Sequence, residues 1–562
     1  MSLLVVALGL RLWGSWFGLP HVFHADEGFE VYRAVRLGMG GFDFDRVAKG
    51  GYYYLLFLEY GFYFVWLFVT GAISGVSDFA ARFVSDPSGF WKIGRATTAV
   101  LGTATVAAVW WQGRRIGGAR VGWLAAAFLA VSVQHVVNSH YVSVDVPMTL
   151  WTFLAILLVV EDTCGRARLR PWWFAAIAAY AVMNKQPAVL LFIPFFLGTW
   201  MRHGPRGGEG LWSRRTAIAV GGAALIYTVG NPGIVVNFGL EVSRAFHTIL
   251  GTPDPDGDYI QAATAIPNLW AFYGRVLRTS QGPAMLALAV AGLGLGLWRR
   301  DRAVLLHASF ALPFLVLIAS VGTSHLYYPR YIVPILPAVA LFAALGVEEI
   351  IRALRGPRWV APAVAVGVGV LVIAEPGLRA VQWDQRMTLA DTRALAAAWI
   401  EENVPHKAAI VLEGSEEDAA QLGVPIGNLK RNMKRMVVRL AESDPGKAKY
   451  WSLKLQTASP PLYDLHAVRH HEDWVSVQEY RDAGIHYAVL RRDFFLTGTR
   501  LSERLTSPAV ATRAAFYEQL LSTPDVELVA SFEASPDGHP GYDLEVWKLA
   551  DLPAEPGAEA GS

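Results

Sequence analysis

Two adjacent carboxylates, Asp26 and Glu27, stand in the run His21-Val-Phe-His24-Ala-Asp26-Glu27-Gly-Phe-Glu30-Val-Tyr32-Arg33, directly after the first apolar stretch of the chain. A carboxylate there can take the proton of a hydroxyl acceptor that comes within about 3 Å of it. It can equally cap the helix that follows, since acids are favoured in a first helical turn. A cap explains Asp26 but leaves the density of His24, Glu30 and Arg33 around it without a use. A further acid, Asp145, lies in Asn138-Ser-His140-Tyr141-Val-Ser-Val-Asp145-Val-Pro147. Asp shortly before Pro marks a helix start, which accounts for the position. Two such acids meeting near one membrane surface could instead deprotonate a hydroxyl or hold a divalent cation, Mg or Mn, between Asp26 and Asp145. His140 is a pocket candidate by its place beside Asp145, although hydrogen bonding at a helix end explains both it and His135.

Cations accompany these acids. Lys49 leads Lys49-Gly-Gly-Tyr52-Tyr53-Tyr54 into a long apolar segment. A cation beside two glycines and three tyrosines suits a phosphate with an apolar tail; a snorkelling Lys with an aromatic belt is the plainer use. Arg330, in Ser324-His325-Leu-Tyr327-Tyr328-Pro329-Arg330-Tyr331, can grip phosphate oxygens bidentately, with Tyr327 beside it. Lys185, in Asn184-Lys185-Gln-Pro187, is a further pocket candidate.

The elements that must position these side chains are membrane helices. Of 562 residues, 53% are apolar and 17% charged. With a mean hydropathy of +0.33, this is an integral membrane protein and not a string of soluble domains, which carry about 25% charge. A net charge of +2 gives no sign of nucleic-acid binding, and the single cysteine, Cys164, rules out an intramolecular disulfide. Apolar runs near the spanning length of about 20 residues recur up to residue 375, and we read about eleven spans. They fall near 3–20, 95–112, 121–137, 147–160, 171–183, 187–200, 214–231, 283–298, 303–321, 331–347 and 358–374. Every second break is Arg-rich: Arg114, Arg115, Arg120; Arg166, Arg168, Arg170; Arg202, Arg206, Arg214, Arg215; Arg299, Arg300, Arg302; Arg352, Arg355, Arg358. By the positive-inside rule these breaks and the N-terminus face the cytoplasm, so Asp26 and Asp145 face outward.

Some features sit less simply in this scheme. The segment Tyr52–Ile73 is apolar enough to cross, but a lone crossing there would invert every later loop, so it is expected to lie as an interfacial or re-entrant helix. The first stretch lacks the basic start and small-residue cleavage site of a signal peptide and is expected to be a retained span. Arg11 and Glu59 are charged within apolar segments and could snorkel to an interface. From residue 376 the texture changes to mixed charge. Strands are expected at Ala408–Glu413, Tyr487–Leu490, Glu527–Phe532 and Asp543–Lys548, with helices at Asp391–Asn403 and Val475–Ala483. This gives an α/β domain, 376–562, on the outer face after a transmembrane domain, 1–375. His466 and His470-His471-Glu472 resemble a metal-binding run, but such spacing is ordinary on a solvated surface.

Taken in order, H-x-D-E after the first span, then K-G-G-Y-Y-Y, S-H-Y-V-S-V-D-V-P-M and Y-Y-P-R-Y-I-V-P-I-L-P resemble the GT-C superfamily of polytopic glycosyltransferases. The nearest branch contains the protein O-mannosyltransferases (glycosyltransferase family 39) and the bacterial aminoarabinose transferase of lipid A. The resemblance implies an inverting transfer from a polyprenyl-phosphate sugar donor to a lipid, glycan or protein acceptor outside the plasma (inner) membrane. Asp26 would be the general base with Glu27 as its neighbour, and Asp145 would help to form the acceptor or metal site. Lys49, Arg330, Tyr52 and Tyr327 would meet the donor phosphate. This chain has Gly50-Gly51 where that family often has Pro-Pro. A lipid transporter or flippase would also be polytopic, but such proteins usually keep their charged sites near the midplane and in two related halves, which this sequence lacks.

Overall fold

The computed structural model describes residues 2–38, 50–206, 208–240, 242–243, 268–321, 328–353, 359–413, 423–468, 474–492 and 508–551. In chain order its first helices are α1 (Ser2–Leu12), α2 (Ala25–Gly38), α3 (Gly51–Val69), α4 (Val76–Ser85), α5 (Ser88–Gly117), α6 (Ala119–Ala130), α7 (Val133–Asn138) and α8 (Asp145–Thr163). There follow α9 (Pro171–Asn184), α10 (Phe192–His203), α11 (Arg214–Gly230), α12 (Gly233–Val236), α13 (Leu269–Gln281), α14 (Pro283–Trp298), α15 (Arg302–Val321), α16 (Leu336–Ala353) and α17 (Val360–Met387). The later helices are α18 (Thr392–Asn403), α19 (Lys430–Ser443), α20 (Pro445–Thr457), α21 (Val477–Asp482) and α22 (Pro508–Ser522). Two 3-10 turns, Gln186–Leu191 and Pro329–Ile335, lead into α10 and α16.

The chain divides into two units. One comprises Met1–Ser15, Phe29–Gly61 and Lys92–Gln385; the other comprises Trp16–Gly28, Phe62–Trp91 and Arg386–Ser562. The first is a helical bundle around α8, whose side chains are almost all buried. Small residues let its helices close up. A Cβ on Gly292 would meet the Phe342 carbonyl and one on Gly346 the Leu288 carbonyl, so α14 and α16 run in near-contact.

Among the described residues, five helices are long and apolar enough to cross a membrane: Gly51–Val69, Asp145–Thr163, Arg302–Ser320, Pro329–Ala353 and Pro362–Asn403. The pair α13 and α14, bent by 107°, makes a sixth if counted as one span. The expected span 3–20 is helical only over the 11 residues of α1. The expected span 121–137 is broken between Ala130 and Val133. Arg11 does not snorkel. It is fully buried and bonds the carbonyls of Ala7, Leu129 and Ala130 and the ring of His135. Glu59 also turns inward, where it accepts a 2.7 Å hydrogen bond from Thr97.

The Arg-rich breaks gather at one end of the bundle. Glu161 and Asp162, in the last turn of α8, are nearly fully buried. Arg115 and Arg166 reach Glu161 at 2.9 and 2.8 Å, and Arg215 and Arg202 reach Asp162 at 2.7 and 3.2 Å. Arg120 forks onto Glu348 at 3.0 and 3.1 Å. An open cavity of about 310 Å³ at this end is lined by Cys164, Arg166 and Arg302 among others. Asp145 begins the same helix, whose 19 residues rise about 28 Å from one end to the other.

In the second unit, strands β1 (Ala409–Glu413), β2 (Asp464–Val468), β3 (Tyr487–Arg491), β4 (Glu527–Phe532) and β5 (Leu544–Lys548) form one sheet in the order β2-β1-β3-β5-β4. Strands β2, β1 and β3 are parallel, and β5 pairs antiparallel with both β3 and β4. Strand β1 is buried along its whole length, as a central parallel strand with both faces covered must be. Apolar clusters lie on its two faces, one around Trp474, Phe516 and Trp547 and the other around Ile400, Tyr463 and Val546.

Candidate active site

Helix α8 opens at Asp145, with Pro147 in its first turn. The helix does start there, but Asp145 is its first residue and makes no capping hydrogen bond; its carboxylate turns to two cations instead. Asp145 is 2% exposed. Its Oδ1 lies 2.7 Å from the Lys185 ammonium and its Oδ2 lies 3.5 Å from Arg330 Nε. The Ser143 hydroxyl donates to Oδ2 at 3.4 Å.

Each cation is placed by a break in helix. Lys185 is extended (φ −160°, ψ 127°) between α9 and the 3-10 turn Gln186–Leu191, where Pro187 prevents continuation. Arg330 lies in the 3-10 turn Pro329–Ile335, again begun by proline. The Arg330 guanidinium sits 3.9 Å from the Tyr328 ring centroid and 5.6 Å from that of Tyr331; the Lys185 ammonium sits 4.3 Å from the Tyr331 centroid. Aromatic faces hold a partly desolvated cation without neutralising it. One buried carboxylate against two cations leaves the three side chains with one net positive charge. Such a group can receive an anion, and an arginine fork can bind phosphate oxygens in pairs.

The two glycines after Lys49 complete the floor. The Gly50 N–H donates to Asn231 Oδ1 at 2.8 Å, and the Tyr180 hydroxyl donates to the Gly51 carbonyl at 2.7 Å. A Cβ on Gly51 would stand 2.7 Å from Asn184 Nδ2, and one on Gly50 would stand 2.7 Å from both Asn231 Oδ1 and the Gly230 carbonyl. Proline has neither the room nor the donor required at Gly50. The departure from Pro-Pro follows from Asn231 and Asn184, and it seats the segment against the residue preceding Lys185.

The other predicted residues fall in different settings. Tyr52 is fully buried, with its hydroxyl 2.8 Å from the Gly94 carbonyl and 2.6 Å from Thr98 Oγ1, so it fastens α3 to α5. His140 is also fully buried. Its ring nitrogens lie 2.9 Å from the carbonyls of Val136 and Trp13, and Nε2 is 3.4 Å from Asp384. It ties the loop before Asp145 to the chain after α1 and to α17. Asp26 and Glu27 occupy the first turn of α2, with Glu27 fully buried and Asp26 half-buried. His24 immediately precedes that helix. Arg33, later in α2, pairs with Glu30 at 3.4 Å. Lys49, Tyr327 and His470–Glu472 lie outside the described residues. Sequence reasoning missed Tyr328 and Tyr331 as the rings against the two cations, although they flank Arg330 at the spacing of a 3-10 turn.

A divalent cation does not fit Asp145, because it would have to displace the Lys185 ammonium. No group of three or more His, Cys, Asp or Glu side chains gathers as metal ligands among the described residues.

Residues 85–203 match the family of dolichyl-phosphate-mannose-protein mannosyltransferases. The chain resembles the GT-C glycosyltransferases. The matched segment contains Asp145 and Lys185 but not Asp26, Lys49 or Arg330. No curated protein matches the chain. Among solved structures, the oligosaccharyltransferase of Archaeoglobus fulgidus in its apo form is 13% identical, with 91% of this chain and 72% of that chain covered and a TM-score of 0.49. ArnT from Cupriavidus metallidurans in the apo state is 14% identical, with 98% of each chain covered and a TM-score of 0.47. The same enzyme bound to undecaprenyl phosphate is 13% identical, with 98% and 97% covered and a TM-score of 0.45.

Proposed function

We propose that the chain is an inverting glycosyltransferase that moves a sugar from a polyprenyl-phosphate donor to an acceptor hydroxyl at the outer face of the membrane. The observation that carries this reading is the Asp145–Lys185–Arg330 cluster over Tyr328 and Tyr331, part of it inside the segment that matches a mannosyltransferase family. Departure of a lipid phosphate builds negative charge on the leaving oxygen, and fixed cations there stabilise the transition state. Lys185 and Arg330 supply that charge, and Lys49 is a further donor-phosphate contact on the same reading. Asp145 orients both cations and is a positioning residue.

The acceptor hydroxyl attacks the anomeric carbon as the carbon–oxygen bond to phosphate breaks. The acceptor proton passes to the Asp26 carboxylate, and polyprenyl phosphate leaves as the anion. Attack opposite the leaving group inverts the anomeric centre. Glu27, fully buried next to Asp26, supports the first turn of α2 and does not meet the acceptor. Residues 1–375 form the catalytic membrane domain with a cytoplasmic N-terminus, and 376–562 form an outer domain placed to select the acceptor.

The test is donor consumption. Purified protein is incubated with a panel of radiolabelled polyprenyl-phosphate sugars and membrane acceptor fractions, with and without EDTA. At least one donor is expected to be consumed with release of the lipid phosphate, and Asp145→Asn is expected to suppress that release. An intact donor in every arm overturns the proposal.

A further inference from the structure

The helical hairpin α19–α20 in the second unit has no part in the proposed reaction. Between Lys430 and Thr457 it carries eight basic residues against two acids, Glu442 and Asp444, in a chain whose net charge is only +2. Its buried apolar side chains Met433, Met436, Leu440, Ala448 and Trp451 form a small core of their own, while Val438 is exposed. Seven of its eight cations are exposed, and the eighth, Lys454, lies over the Trp451 ring. Lys430, Lys434, Arg435 and Lys449 are exposed, and none has an acidic partner among the described residues. Arg431 differs from them in pairing with Asp464. Folding four unpaired like charges onto one short hairpin is unfavourable by itself, so this surface is built to meet negative charge.

Its place in the unit says which negative charge. Helix α20 packs on α4, an amphipathic helix. Only six residues separate the end of α3 at Val69 from the start of α4 at Val76. The end of α3 that belongs to this unit exposes Phe62, Val65, Trp66, Phe68 and Val69. Five large apolar side chains exposed together suit lipid and not water, which sets α4 and the hairpin packed on it at the level of the lipid headgroups. Basic residues held there are drawn to anionic headgroups and released by salt.

We infer that the α19–α20 hairpin is a membrane-contact surface that binds anionic lipid headgroups through Lys430, Lys434, Arg435 and Lys449. The full chain in lipid nanodiscs tests this by hydrogen exchange of the amides of 430–457, in phosphatidylcholine alone and with about a third phosphatidylglycerol. Exchange is expected to slow by about tenfold or more in the anionic discs. That slowing is expected to vanish in about 0.5 M NaCl, where the screening length is a few ångströms, and in the quadruple variant K430Q/K434Q/R435Q/K449Q. These four side chains are exposed, so the variant folds; unchanged exchange in strands β1 and β3 verifies that. Equal exchange in neutral and anionic discs overturns the proposal. So does slowing that survives both salt and the quadruple variant, or slowing that appears only when polyglutamate is added to neutral discs, which would assign the surface to an acidic macromolecule.

Discussion

Lys185 Nζ stands 2.7 Å from Asp145 Oδ1, although 40 residues separate the two in sequence. The contact joins the start of α8 to the extended break after α9, and it changes what Asp145 can be. The nearly buried carboxylate is held between an ammonium and a guanidinium. Its value lies in fixing the direction of both cations.

Replacing Asp145 with Asn keeps the shape and removes the charge. Lys185 and Arg330 then repel each other across the amide and turn away from their present positions. Transfer is expected to fall by about 10²–10³-fold, the usual cost of losing a fixed electrostatic contact to the transition state. Donor KM should rise while acceptor KM holds. Steady-state kinetics at varied donor and acceptor, on protein that still inserts and elutes normally, checks this.

Asp26→Asn is expected to abolish transfer while membrane insertion stays intact, because a general base contributes about 10²–10⁴ in rate and little to folding. Single-turnover donor consumption would read the loss, and turnover like that of the native chain would remove Asp26 from the mechanism. Lys49→Ala is expected to act differently, weakening use of the donor more than use of the acceptor. Equal effects on both would argue against a phosphate contact.

The membrane character and the grouping of the basic breaks at one end of the bundle were legible because each is a local property of sequence. Arg115, Arg166, Arg202 and Arg215 come from three separate breaks, and they converge on Glu161 and Asp162. The partnerships were not legible. Nothing local in Asn184-Lys185-Gln-Pro187 says that its cation meets an acid on another helix. Arg11 looked like a residue that would seek the interface, yet it is satisfied internally by carbonyls freed where α6 ends and by His135. In the tail, the four expected strands are present, but β2 (Asp-Leu-His-Ala-Val) was missed because it is short and has charged and polar residues at alternate places. Helices α19 and α20 were missed because their few buried apolar positions, Met433, Met436, Leu440, Ala448 and Trp451, are spread among many basic residues.

Gly51 offers a test of the floor beneath the cations. In Gly51→Ala the new methyl would stand 2.7 Å from Asn184 Nδ2 and 3.0 Å from the Asn184 backbone nitrogen. Backbone on one side cannot yield freely, so about 1–3 kcal/mol of strain is expected, as for other overpacked positions. The shift passes to Lys185, the next residue. Thermal unfolding should show a lowered midpoint, and donor KM should rise in the same variant. Gly61→Ala serves as the control, since a Cβ there has open space.

His486 makes the sheet of the second unit sensitive to acid. Its Nδ1 accepts the Ala409 N–H at 3.1 Å, a role open only to a ring nitrogen without a proton. Partial burial accordingly holds the imidazole below its ordinary value of 6.5. The unfolded chain, with the ordinary value, takes up the proton first as pH falls. Stability of this unit is therefore complete above about pH 7.5, declines as pH drops through 6.5, and levels off once the folded imidazole is also protonated. Urea unfolding followed by tryptophan fluorescence should show a lower midpoint at about pH 5 than at about pH 7.5. His486→Asn keeps an acceptor for Ala409 and has nothing to titrate, so it should flatten that dependence; a variant that loses as much stability on acidification as the native chain would place the sensitivity elsewhere.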